Sequence, residues 1–217
     1  MIINSSSNFR EIAIGQIPPG ILYRSNHPVS NNKQVKEIVL AANTARIKTI
    51  INLSDSDESL RAGIIHCPWY KKLYDEGSVI AVNMDMRIDV MEPMTLRKIK
   101  QAIVFMAEHE APYFIHCVAG IDRTGFLSVL LESLMGSPLD EMARDYMLSF
   151  VDASEYSKSD YRNGVIFLSN LFSKIKEERF DLNDDPALLT LRYLTGEARV
   201  KEEVLKILKV KLAGKGL

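Results

Sequence analysis

The run His116-Cys117-Val118-Ala119-Gly120-Ile121-Asp122-Arg123-Thr124-Gly125 constrains this chain more than any other stretch. The apolar segment Tyr113-Phe114-Ile115 leads in, and Phe126-Leu127-Ser128-Val129-Leu130-Leu131 leads out with helical character. The layout is strand, tight loop, helix start. Backbone N–H groups at a helix N-terminus point outward unpaired and carry partial positive charge. A short glycine-bearing loop lets several of them converge on one anion. Val118, Ala119, Gly120, Ile121, Asp122 and Arg123 are therefore the candidate anion-binding residues, and Arg123 adds a planar fork for two oxygens. Cys117 stands at the base of the loop, where the same dipoles favour a thiolate.

Composition narrows the setting. Of 217 residues, 47 % are apolar and 25 % charged, ordinary for a soluble globular protein. The net charge of −1 supplies no global field that would recruit nucleic acid or an anionic membrane. Two cysteines, Cys67 and Cys117, are too few for a disulfide scaffold, and a working thiolate fits a reducing, cytoplasmic location. Met1-Ile2-Ile3-Asn4-Ser5-Ser6-Ser7 lacks the basic and apolar regions of a secretory signal, and no apolar stretch reaches transmembrane length. No stable membrane association is expected.

Residues 1–20 are polar and turn-rich, and 21–24 read as a short strand. Helical spacing of Val35, Ile38, Val39 and Ala42 predicts a helix over Asn32–Ala45. Strands follow at 48–53 and 79–84, with a helix opening between them near Ser54, capped by Ser54 or Asp55. Pro93–Glu108 reads as a helix with proline in its first turn. The strand 113–117, a helix over 124–135 and another over Leu139–Phe150 come next. Residues 155–217 keep helical periodicity, broken near 181–186 and 195–196. The expected fold class is α/β, a central, mostly parallel sheet flanked by helices, with a helical C-terminal part. One domain over 1–217 is expected, its core at about 8–150 and its helical extension at about 151–217. The apolar face of Val204, Leu205, Ile207, Leu208 and Val210 is expected to pack within the chain rather than form a dimer surface. Oligomeric state is not legible.

The loop resembles the HC-x5-R-[S/T] signature of the cysteine-based protein tyrosine phosphatase superfamily. Asn8-Phe9-Arg10-Glu11, Leu22-Tyr23-Arg24-Ser25 and Asp145-Tyr146-Met147-Leu148-Ser149 resemble segments of its atypical, dual-specificity-like bacterial branch. The branch often carries Lys where this chain has Ile121, and the change weakens an expectation of phosphoinositide specificity. The resemblance implies a phosphomonoester hydrolase working through a cysteinyl-phosphate, with no metal and no organic cofactor. Phosphotyrosine in proteins is the favoured substrate. An inositol polyphosphate or phosphoinositide, or phospho-binding without turnover, are the alternatives. The partners implied are a phosphorylated protein or a small phosphoester.

Within that chemistry Cys117 is the nucleophile and Arg123 the phosphate fork. Thr124 can donate to the sulfur or cap the helix, and His116 supports the loop by bonding its carbonyls. A general acid must protonate the leaving oxygen. Asp89, four residues before Pro93, resembles the acid of the family; Asp85 is the alternative and Glu92 a third option. Asp122 either orients the guanidinium or is a plain loop residue. Arg24, Lys71, Lys72 and Arg87 are candidate substrate cations, more simply read as solvated charges. His27 and His109 read as surface or turn residues. Cys67 reads as a buried thiol, with disulfide trapping of Cys117 as the alternative.

Overall fold

The computed structural model describes residues 7–29, 34–85 and 89–215. Within them the chain runs β1 (Arg10–Ile12), β2 (Leu22–Ser25), α1 (Val35–Thr44), β3 (Thr49–Asn52), α2 (Asp57–Gly63), a 3-10 turn (Ile64–His66), α3 (Pro68–Asp75) and β4 (Val79–Ala81). It continues through α4 (Pro93–Glu108), β5 (Tyr113–His116), α5 (Asp122–Leu134), α6 (Leu139–Met147), α7 (Lys158–Lys176), α8 (Pro186–Arg192), a π-helical turn (Tyr193–Glu197) and α9 (Glu202–Leu212).

The five strands form one sheet in the order β1-β2-β5-β3-β4. Strands β2, β5, β3 and β4 run parallel, and β1 pairs antiparallel with β2. This is the α/β architecture with a mostly parallel sheet that the alternation of elements predicts. Every residue of β3 and β5 is buried, as expected of parallel strands covered on both faces. Because successive side chains point to opposite faces, Ile50 and Phe114 enter one core and Ile51 and Ile115 the other. Ile38, Tyr70 and Leu73 from α1 and α3 build the first core. Helices α4 to α9 build the second, with Ile103, Leu130, Phe172, Leu189 and Leu208. The C-terminal helices share that core, and Leu205, Leu208 and Leu212 bury the apolar face of α9 inside the chain.

The sheet's order sets where chemistry is available. In parallel strands all carboxyl ends lie at one edge, and crevices for ligands open there. The segments leaving β2, β3, β4 and β5 therefore meet at one rim, with β5 central.

Several boundaries depart from expectation. The α2 cap is Ser56, which accepts the Ser59 N–H, rather than Ser54 or Asp55. The Ser54 and Asp55 amides instead donate to Asn52 Oδ1 at 3.0 and 3.1 Å, which tightens the turn after β3. Strand β4 ends at Ala81, although Val82 and Met84 still donate to the Asn52 and Leu53 carbonyls. Strand β1 and helix α3 have no counterpart in the sequence reading. The former is three residues long, and the latter opens on Pro68 at its first turn. The predicted start of α1 at Asn32 lies outside the described residues.

Candidate active site

Strand β5 delivers His116 and Cys117 to the rim, and the chain turns at once into α5. The helix begins at Asp122, two residues earlier than predicted, so Arg123 and Thr124 lie in its first turn. Gly120 makes the turn. Its φ is +70°, and an added Cβ would overlap the Ser25 carbonyl and the Asn26 amide. The position requires glycine both for its left-handed backbone and for the close approach of β2.

One loop amide is seen to point at the sulfur. The Gly120 N–H donates to Cys117 Sγ at 3.3 Å. Cys117 is 2 % exposed and both cysteines are free. Val118, by contrast, is exposed on the outer face of the loop. Asp122 is exposed at the first position of α5, where its charge suits the helix dipole. Arg123 is buried and its Nη1 donates to the Met84 carbonyl at 3.2 Å, which ties the guanidinium to the segment leaving β4. Thr124 is fully buried and, among the described residues, its hydroxyl has no partner; it is not the helix cap.

His116 occupies the opposite face of β5. Its Nε2 meets Tyr70 Oη at 2.9 Å, and its carbonyl accepts the Leu53 N–H at 2.9 Å. Burial, aided by the neighbouring His27, pushes this imidazole well below the usual histidine range, so it is neutral. Its ring also lies against the Cys117 backbone at the base of the loop, while the carbonyls of Val118, Ala119 and Gly120 accept from the His27 amide, Asn8 Nδ2 and Arg24 Nη2.

His27 corrects the sequence reading, which put it at the surface. It is buried, its Nδ1 accepts the Val29 N–H, and its Nε2 donates to Asp55 at 2.7 Å. Burial opposes ionisation of Asp55, but the hydrogen bonds from His27 and Asn52 outweigh it and hold the carboxyl at about 2. Arg24 is likewise no solvated or substrate-facing cation. It is fully buried, with Nη1 2.7 Å from Asp145. Sequence spacing alone could not find this partner, which lies 121 residues away. Lys71 and Lys72 pair along α3 with Asp75 and Glu76, both exposed. Arg87 lies outside the described residues. His109 follows α4, its Nδ1 against the Phe105 carbonyl.

Of the candidate acids, Asp85 and Asp89 are both exposed at the rim, on the segment between β4 and α4. Asp89 folds back locally: its Oδ1 accepts the Met91 N–H at 3.2 Å and its carbonyl accepts the Glu92 N–H. Glu92 is the cap of α4, its carboxylate accepting the Thr95 N–H at 2.9 Å. That bond explains Glu92 as a structural residue. Against the first turns of α5, a cavity of about 350 Å³ is lined by Val90, Asp122, Phe126, Phe167, Asn170, Leu171 and Lys174. Helix α7 forms its far wall, a contribution the sequence did not signal.

Cys67 packs in the core on the other face of the sheet from the core that contains Cys117. Burial pushes its thiol up. Among the described residues no cluster of three or more His, Cys, Asp or Glu is arranged to hold a metal, and no helix is long and apolar enough to cross a membrane.

Among curated proteins none matches the chain. Among solved structures, a Cys-to-Ser form of P. aeruginosa TpbA in complex with pTyr is similar with a TM-score of 0.50 and 18 % identity, over 90 % of this chain and 96 % of that one. A second TpbA crystal structure gives 0.48 at 18 % identity, over 88 % and 94 %. The core catalytic domain of the PP-IP phosphatase SIW14 from S. cerevisiae, in complex with citrate, gives 0.43 at 18 % identity, over 78 % and 91 %. At such identity the TpbA complex speaks for a shared fold. Residues 2–171 match the tyrosine phosphatase family as a sequence family. With that match over most of its length, the chain belongs to the tyrosine phosphatase family, as a cysteine-dependent hydrolase of phosphoesters.

Proposed function

We propose that the protein hydrolyses phosphotyrosine in proteins through a cysteinyl-phosphate. Cys117 Sγ attacks phosphorus in line; the S–P bond forms as the P–O bond to the tyrosyl oxygen breaks. The departing oxygen takes its proton from Asp89, with Asp85 as the alternative donor. The loop amides and Arg123 balance the charge on the three equatorial oxygens, which is most of what phosphoryl transfer demands. Water, deprotonated by the same carboxylate, then cleaves the S–P bond and releases inorganic phosphate. The Thr124 hydroxyl, buried at the start of α5 without a partner among the described residues, supplies a hydrogen bond to the departing sulfur.

The observation that carries this proposal is the Gly120 N–H aimed at Cys117 Sγ within a loop that also presents Arg123. Phosphotyrosine is favoured because a cavity against the first turns of α5 offers apolar walls from Val90, Phe126, Phe167 and Leu171 to an aryl ring, together with the polar Asp122, Asn170 and Lys174. The basic residue that would suit a highly phosphorylated inositol is Ile121 here. The TpbA crystal complex with pTyr is in keeping with this choice. No metal or organic cofactor is required, so a chelator should leave the rate unchanged.

Phosphate release from para-nitrophenyl phosphate by the native protein and by Cys117→Ser tests the mechanism. Loss of turnover in the variant is expected; equal rates would overturn it. A panel of phosphopeptides and inositol phosphates tests the substrate, with phosphotyrosyl peptides expected to turn over fastest.

A further inference from the structure

The three outward carbonyls of the loop are held by donors that all come from the first 27 residues. The His27 amide takes Val118 at 3.1 Å, Asn8 Nδ2 takes Ala119 at 3.2 Å, and Arg24 Nη2 takes Gly120 at 2.9 Å. A trans peptide is planar, so its C=O and N–H point in opposite directions. Fixing the carbonyls of 118, 119 and 120 outward therefore turns the N–H groups of 119, 120 and 121 inward. One peptide displays both halves of the relationship: the Ala119 carbonyl is held by Asn8, and the N–H of that same unit, on Gly120, reaches Cys117 Sγ.

We propose that Asn8 and Arg24 are positioning residues that set the orientation of the loop amides and so the affinity of the cradle for an oxyanion. The inference rests on the anion-binding role of the loop proposed above. The donors are themselves anchored. Arg10 Nη1 donates to Asn8 Oδ1 at 3.2 Å. Arg10 and Arg24 are direct partners across β1 and β2, and both bond to Asp145 and to Ser149 Oγ. Glu132, fully buried nearby, is kept protonated by burial and by the charge of Asp145, so it does not draw Arg24 away. Asp145 thus pairs with two guanidinium groups behind the loop, and the second branch of the Arg24 fork is shared between the Gly120 carbonyl and Ser149 Oγ.

The test uses calorimetric titration of the full-length protein with orthovanadate, alongside steady-state hydrolysis of para-nitrophenyl phosphate and thermal melting. Asn8→Gly preserves the positive φ of 54° at that position and removes only the amide. It should leave melting close to native while weakening orthovanadate binding and lowering kcat about tenfold each, less than deletion of an oxyanion donor outright. Arg24→Met should weaken both further. Affinity measured per folded molecule separates positioning from loss of folded protein. Folded variants with native affinity would overturn the proposal and leave the catalytic mechanism standing. If the native protein binds orthovanadate without turning over substrate, the catalytic mechanism fails and the clamp is judged on affinity alone. If it binds none, both fail.

Discussion

Tyr193 donates its hydroxyl to the carbonyl of Val90 at 2.6 Å, and so the π-helical turn near the C-terminus holds the backbone beside Asp89. The phenol is 1 % exposed, and burial, with the charge of Asp89 behind it, pushes its ionisation far above neutrality. It therefore stays a donor. Tyr193→Phe leaves the Val90 carbonyl without this partner, at a cost of about 1–3 kcal/mol for a buried acceptor. If Asp89 is the acid, the variant should lose several-fold in kcat on alkyl phosphates and less on activated aryl phosphates. A leaving-group series measures this directly.

Asp89→Asn removes the proposed proton donor while keeping the acceptor that receives the Met91 amide. The rate should fall about 100-fold or more for poor leaving groups, the usual scale of general acid catalysis, and much less for activated ones. Equal losses across the series would transfer the role to Asp85, and Asp85→Asn should then show the graded pattern.

Gly120→Ala places a methyl group against the Ser25 carbonyl in a backbone conformation at φ +70°. The left-handed conformation alone costs about 1–2 kcal/mol for a residue with a Cβ, and the overlap adds to it. The loop must move, so hydrolysis and oxyanion binding should both be lost beyond detection while melting drops by several degrees. Native melting together with native turnover would contradict the turn geometry.

Acid should unfold the protein through named carboxyls. Asp55 and Asp145 are both desolvated, which opposes ionisation. Partners outweigh this, His27 and Asn52 for the one, Arg10 and Arg24 for the other, and both carboxyls sit at about 2 against an ordinary 3.8. Each binds a proton less readily folded than unfolded. Their stabilisation is therefore complete above about pH 4 and is lost as pH falls through about 2. For Asp55 this is on the order of 2 kcal/mol. Urea unfolding of native protein and Asp55→Asn should differ near neutrality and converge in strong acid.

Gly164→Ala probes packing away from the rim. An added Cβ there would press on the Ala143 carbonyl and Met147, where α6 and α7 cross closely. A loss of about 1–3 kcal/mol, typical of overpacking, should appear in denaturant unfolding.

The sequence made the central elements plain where local signals agreed. Helix α4 spans Pro93–Glu108 as its proline and periodicity predict, and β5 with its loop falls where the apolar run and the glycine place it. Features that depend on distant partners were invisible. Arg24 and Asp145 each look like a surface charge in isolation, and only folding brings them to 2.7 Å. His27 is buried for the same reason, its partner Asp55 lying 28 residues on. The three residues of β1 are too few to show alternation, and they are a strand because β2 pairs with them. The flanking motifs around Asn8, Arg24 and Asp145 were visible as a family likeness, yet their physical purpose, gripping the loop, emerged only from the hydrogen bonds.

The parallel strands also leave a second rim, away from the candidate active site. Their amino ends gather opposite the cradle, and there the turn between α3 and β4 passes through Gly77, exposed, at φ +74°, with open space where a side chain would project. A reporter peptide spliced at that turn would project from the end of the sheet opposite the one that carries Cys117, which makes it a place to label the protein away from the candidate active site.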